Sequence, residues 1–342
     1  FSANISTPKD FLEYEIGSQH TRHDQIISYL QYLASVSDYA QIMYYGKTHE
    51  GRKLPLLMIS TKENLNQIET IQKAHLDYAQ GRTVEEPNVP LIINLAYNVH
   101  GNEPSSSEAA LLAAYTLTAS QDRQIASFRE NAIIFIDPTI NPDGRDRHTQ
   151  WANMYKGTPL VSDPMDAEHN EVWPGGRTNH YWFDLNRDWL LAINPESQGK
   201  LAWYHQWYPN VVTDFHEMGT QSTYFFEPMK PNGSLDPIMP KDNYVKLNNL
   251  FATYFSKGLD SIGSLYFTKE AFDGTYPGYG SSYPDLQGGL GLLFEQASSR
   301  GLKQKTKYGY ITFPFTIRNQ FISSLATVQA AIENKSLLRK YQ

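Results

Sequence analysis

The 342-residue chain contains no cysteine, which excludes disulfides, thiolate metal sites and cysteine nucleophiles. No apolar run reaches ~18 residues, the length a membrane-spanning helix requires. Basic excess is lacking too. The 29 Lys and Arg stand against 36 Asp and Glu, and the net charge of −7 argues against a nucleic-acid partner. No Gly-x-Ser-x-Gly occurs, Gly280-Ser281-Ser282 coming nearest, so a serine hydrolase would lack its nucleophile elbow. His216-Glu217-Met218-Gly219-Thr220 lacks the second histidine of an HExxH helix. There is no internal repeat, low-complexity tract or linker, and the chain opens at Phe1 without Met, as a processed or trimmed product would.

What is present is globular in kind, with 40% hydrophobic and 19% charged residues. The 23 Tyr and 6 Trp suit a cleft-bearing enzyme and equally a tyrosine-rich surface protein. After a polar, irregular lead-in over residues 1–20, helical spacing runs from about Asp24 to Ala34. Gln41 to Lys47 and Lys53 to Ser60 read as strands joined tightly at Glu50-Gly51, and a polar helix follows from Leu65 to Gln80. Val89 to Ala96 and Ala132 to Asp137 are buried strands, with a helix from Glu103 to Ala119 between them. Asn141-Pro142-Asp143-Gly144 breaks the chain sharply, and Arg145 to Asn194 shows no sustained period. Then come a helix from Pro195 to Trp207, a strand from Asn210 to Phe215 and a helix from Asp242 to Lys257. A loop rich in Tyr, Gly, Ser and Pro covers 272–287, a short strand Gly291 to Phe294 follows, and a terminal helix runs from Phe313 to Arg339. These alternations predict an α/β fold: a single domain over 1–342 with a central mixed, mostly parallel, twisted sheet flanked by helices.

Three of the apolar strands lead into residues that bind metals or move protons. His100 and Glu103 follow the first, His216 the second and Glu295 the third. In an open α/β sheet, ligands gather at such strand ends. Each residue alone has a bland reading as a hydrogen-bonded structural group, but the combination has chemical content. Two histidines and one carboxylate form a frequent catalytic zinc set with an open position. A spare carboxylate beside it is the general base that metal-assisted hydrolysis needs.

The order of these motifs resembles the zinc carboxypeptidase (carboxypeptidase A-like) family. It runs His100-Gly101-Asn102-Glu103, Asn141-Pro142-Asp143-Gly144, Asn186-Arg187, Asp214-Phe215-His216 and Phe294-Glu295, over roughly residues 12 to 340. Gly46-Lys47-Thr48-His49-Glu50-Gly51-Arg52 is similar to the family's opening hairpin. The resemblance implies that His100, Glu103 and His216 bind one zinc ion and that Glu295 activates water and passes its proton to the leaving amine. It implies that Asn186 and Arg187 grip the substrate's terminal carboxylate, a task suited to a guanidinium fork. A salt bridge from Arg187 to Asp184 or Asp188 is the structural alternative. The substrates implied are peptide or protein C-termini, the protein a monomer without a membrane span. Family habit and the start at Phe1 imply an extracytoplasmic place, periplasmic or secreted.

The chain departs from the family at two points. No arginine lies near 151–156, where the family places one for the oxyanion. Arg145, Arg147 and Arg177 are candidates, with Arg147 preferred and Lys156 able to supply charge without the fork. The loop tyrosine that closes on substrate is Tyr276 or Tyr279 by distance, with Tyr283 a further candidate. Two other readings compete: a peptidase or amidase of the same fold acting on cell-wall peptides, and a non-catalytic zinc- or peptide-binding module. Side-chain preference at the substrate's C-terminus is undecided.

Overall fold

The computed structural model describes residues 1–342. The strands are β1 (Ala40–Lys47), β2 (Lys53–Ile59), β3 (Leu91–Ala96), β4 (Ala132–Asp137), β5 (Val211–Met218), β6 (Tyr224–Phe226), β7 (Leu290–Ala297), β8 (Lys303–Thr306) and β9 (Gly309–Thr312). The first seven form one mixed sheet in the order β1-β2-β4-β3-β5-β7-β6, and the last two form a hairpin of their own. β4, β3, β5 and β7 are mutually parallel and make up its centre. β2 joins antiparallel to β4, and β6 antiparallel to β7. The expected α/β architecture is therefore present.

Both faces of the sheet are covered, which is why its central strands read as unbroken apolar runs rather than alternations. Leu91, Ile93 and Leu95 of β3 pack toward one side with Leu30, Leu111 and Phe251 from the helices His23–Val36, Ser105–Ala119 and Asn249–Ser261. The helix Phe313–Glu333 completes that layer. Ile92 points the other way, to Trp203 and Trp207 of the helix Pro195–Trp207 and Ile71 of the helix Ile68–Ala79. Burial of some fifty apolar side chains in these two layers makes the sheet the rigid part of the molecule.

Several elements differ from their sequence reading, each for a physical reason. Asn141-Pro142-Asp143-Gly144 starts a helix, Pro142–Tyr155, rather than breaking the chain. The Asn141 side chain caps it by accepting from the Gly144 amide at 3.0 Å, and Pro142 occupies the first turn. That helix buries polar residues through hydrogen bonds, so no apolar period announces it. β5 and β7 run past His216 and Glu295, so both residues lie within strands rather than at their ends. The polar hairpin β8–β9 was not anticipated, because Lys303-Gln304-Lys305-Thr306 carries no apolar alternation. The lead-in includes a short helix, Pro8–Leu12, and buries Ile5. The terminal helix divides at Asn334 into Phe313–Glu333 and Lys335–Tyr341, and the polar helix at Gln67 into Lys62–Asn66 and Ile68–Ala79.

Candidate active site

Past β3 the chain turns through Asn98, whose φ of 57° lies in the left-handed region that asparagine tolerates. Its side-chain amide donates to the carbonyls of His100 (2.7 Å) and Glu103 (2.9 Å), which ties the corner into one loop before the helix Ser105–Ala119 begins. Glycine is required at 101. A Cβ there would come within 2.1 Å of the Arg145 amide nitrogen and 2.5 Å of the Gly176 carbonyl oxygen. Three chain segments thus meet behind His100 and Glu103.

The partners arrive on the sheet. Parallel pairing of β5 with β7 sets His216 directly beside Glu295, both facing the corner. The Nδ1 atoms of His100 and His216 lie 3.1 Å apart. Each also lies 3.0 Å from one oxygen of Glu103. Both outer Nε2 atoms meet carboxylates at 2.8 Å, His100 on Asp184 and His216 on Asp214. With those Nε2 atoms held by carboxylates, each ring presents its Nδ1 inward. Two imidazole nitrogens and a carboxylate this close mark a place for a cation. The set His100, Glu103 and His216 is the one cluster of metal-ligating groups in the molecule whose donor atoms converge within 4.8 Å. Nitrogen and carboxylate donors in that number fit zinc.

The electrostatics point the same way. Burial raises the Glu103 carboxyl, yet His100 and His216 pull it well below the usual range. Burial lowers His216, yet Asp214 and Glu103 lift it well above its ordinary value. The place is built for positive charge. Glu295 behaves differently: burial, reinforced by Glu103 and Asp214 against the opposing effect of His216, pushes it up to about 8. Glu217, next to His216, points away, accepting from Ser105 N at 2.9 Å and from the Ser298 hydroxyl at 2.5 Å.

These groups line a cavity of about 300 Å³ together with Arg177, Asn186, Arg187, Asp214, Met218, Phe272, Asp273, Tyr279, Ser281 and Leu293. Arg177 is the arginine that reaches the centre. It donates to Glu103 Oε1 at 3.1 Å and to Asp184 Oδ2 at 3.0 Å, and 45% of its side chain is exposed. The preferred candidate, Arg147, is elsewhere: its guanidinium is spent on the carbonyls of Gly175 (2.7 Å) and Asn179 (3.2 Å), which hold the loop that carries Arg177. Arg145 is fully buried against Glu108 at 2.8 Å, and Lys156 binds Gln19 at 3.1 Å.

Arg187 lines the cavity with 47% of its side chain exposed and lies over the Tyr279 ring at 4.5 Å. Its nearest carboxylate, Asp184, is 3.9 Å away, while Asp188 is occupied by the amides of Ile193 and Asn194. Asn186 is already engaged: its amide donates to Asp214 at 3.2 Å and its oxygen accepts from Gly280 N at 2.7 Å. Tyr276 donates to the Arg187 carbonyl at 3.0 Å and stays outside the cavity lining. Tyr283 is buried and bonds His205 at 2.8 Å. The orienting carboxylates Asp184 and Asp214 escaped the sequence reading. Asp214 had a signal, since Asp-x-His on a strand puts both side chains on one face.

The zinc carboxypeptidase family model matches residues 26–224 of the chain. Carboxypeptidase 2 of Trichophyton rubrum is 25% identical over 199 residues, 58% of this chain and 28% of that protein. Carboxypeptidase E of Caenorhabditis elegans is 30% identical over 146 residues, 42% of this chain and 24% of that protein. The chain thus spans about a quarter of the length of the curated relatives it matches. In fold, it is similar to the carboxypeptidase A of Helicoverpa armigera, with a TM-score of 0.62 at 16% identity over 97% of this chain and 77% of that one.

Proposed function

The chain belongs to the zinc carboxypeptidase family, and from that premise we propose that it removes the C-terminal residue of peptides, with His100, Glu103 and His216 holding one zinc ion and Glu295 as general base. The observation that carries this reading is the convergence of two inward Nδ1 atoms and Glu103 at 3.0–3.1 Å, with Glu295 in register beside His216.

The substrate's terminal carboxylate meets Arg187, whose planar fork accommodates two parallel hydrogen bonds. Tyr279 supports that guanidinium from below, and Asn186, its own amide engaged, positions the Gly280 segment beside it. The last side chain shares the cavity with Met218, Phe272, Asp273 and Leu293. Arg177 takes the oxyanion role sought in Arg147, because it stands against Glu103 in the cavity with 45% of its side chain exposed. When bound, zinc supplies a Lewis acid for the scissile carbonyl and the attacking water, and its charge favours the ionised form of Glu295. Glu295 takes a proton as the water oxygen joins the carbonyl carbon. It then gives that proton to the amine as the C–N bond breaks.

The test pairs metal analysis with hydrolysis of hippuryl-amino-acid substrates. The expected result is about one zinc per chain, and for Glu295→Gln retained zinc with activity lower by about 10²–10⁴-fold. Full activity in the variant would remove Glu295 from its role. A protein without zinc, indifferent to chelators, would leave only the binding-module reading, and turnover of muropeptides alone would move the substrate to the cell wall.

A further inference from the structure

Eight of the 24 large hydrophobic side chains exposed on this protein fall within residues 172–193. Trp173 is 76% exposed and Trp182 58%, and their rings meet at 5.0 Å with a 48° tilt. Tyr181, Phe183, Leu190 and Leu191 are each 45–64% exposed. A monomeric surface rarely clusters apolar side chains in this way without a binding role. The loop cannot be arbitrary in position. Asn102, between two of the candidate zinc ligands, and the Gly176 amide both donate to Glu171, and Asn141 donates to the Arg177 carbonyl at 3.1 Å.

The aromatic pair joins the two ends of the segment that carries Arg177. Trp173 lies four residues before that arginine, and Trp182 two residues before Asp184, which bonds His100. The segment that bears the pair thus supplies Arg177 to the cavity wall. Direction follows from the two arginines. If Arg187 holds the terminal carboxylate, the C-terminal residue fills the cavity, and the remainder of the peptide leaves on the side of Arg177. The segment of substrate that leaves past Arg177 is peptide backbone with its side chains, so the occupant is a peptide rather than a glycan.

We infer that Trp173 and Trp182 form a second recognition surface for aromatic or large apolar side chains three to four residues upstream of the scissile bond. The protein would then be selective for extended peptides with an apolar stretch before the C-terminus. This inference rests on the carboxypeptidase reading and extends it to substrate class.

The test compares hippuryl-Phe, which ends before the rim, with two blocked pentapeptides ending in Ala-Ala-Phe and preceded by Phe-Phe or Gly-Gly. The Phe-Phe peptide is expected to have kcat/KM about tenfold above the Gly-Gly one, the effect of one good aromatic contact. In Trp173→Ala and Trp182→Ala the ratio falls to about twofold or less, while hippuryl-Phe turnover stays the same and serves as the folding control. A flat ratio in the unaltered protein, or a tenfold ratio that survives both variants, overturns the inference. Hippuryl-Phe left uncut by the unaltered protein would instead count against the carboxypeptidase reading. Calorimetric binding of the two pentapeptides then decides the rim separately: preference for Phe-Phe lost in the variants supports it, and equal binding overturns it. Binding of a chitin oligosaccharide with no peptide preference would assign the rim to glycans and also overturn it.

Discussion

His216 and Glu295 stand in register on adjacent parallel strands, whereas Arg177 and Arg187 hang from connections with 45% and 47% of their side chains exposed. The first pair belongs to a floor whose position is set by backbone ladders and two apolar layers. The second belongs to a wall whose position is set by side chains gripping backbone: Arg147 on Gly175 and Asn179, Asn141 on Arg177, Tyr276 on Arg187. The floor carries the groups proposed to hold the metal and move protons, a task that demands fixed positions. The wall carries the groups proposed to meet substrate, and its looser mounting leaves room to vary what is bound.

The largest effect expected is on the floor. His216→Ala removes one of the three proposed metal donors and leaves Asp214 without its imidazole partner. Activity should fall to background and metal analysis should find no zinc. Zinc retained at full stoichiometry would mean that the floor is not the metal site. Arg177→Ala should cost less, about 10²–10³-fold in kcat, with zinc kept, if it deletes the proposed preorganised donor to the developing oxyanion. Arg147→Ala, which only loosens the loop behind Arg177, should cost about tenfold. If the two arginines exchanged these magnitudes, direct and supporting roles would be reversed.

The same contrast explains what could be read before the structure. Floor residues follow apolar runs such as Ile92-Ile93-Asn94-Leu95-Ala96 and Gly291-Leu292-Leu293-Phe294, so a strand and its terminal chemistry are visible together. Strand length was less visible, because β5 and β7 continue through polar residues that hydrogen bonds bury: Glu217 satisfies Ser105 and Ser298. The wall was nearly opaque. Arg145, Arg147 and Arg177 sit in similar polar surroundings, and what separates them is which distant carbonyl or carboxylate each reaches, from Thr21 to Gly175 to Glu103. Spacing along the chain carries no record of that. The helix Pro142–Tyr155 was hidden for a related reason: it packs Arg145 and Asp143 into polar networks with Glu108, Thr48 and Arg52, and so shows no apolar stripe.

Glu171 joins floor to wall, and its replacement by glutamine should give the smallest of these effects on activity. It accepts from Asn102 in the corner of the candidate metal site and from Gly176 N at 3.0 Å on the Arg177 loop, with His148 also 3.0 Å away. Burial would raise its carboxyl, but His148, Asn102 and Gly176 together lower it to about 2. A folded-state pKa below the unfolded value of about 4.3 means the charged form is what folding favours. The contribution is therefore present above about pH 4.5 and lost as pH falls toward 2, by up to roughly 3 kcal/mol. Glu171→Gln should flatten that acid limb in urea unfolding at successive pH values, and lower kcat at neutral pH only severalfold, since an amide oxygen can still accept from Gly176. Glu171→Ala should lose both acceptors and cost about tenfold in kcat with zinc retained. An acid limb unchanged in Glu171→Gln would show that the corner and the loop are held together without this carboxylate, and that floor and wall are more independent than their shared contacts imply.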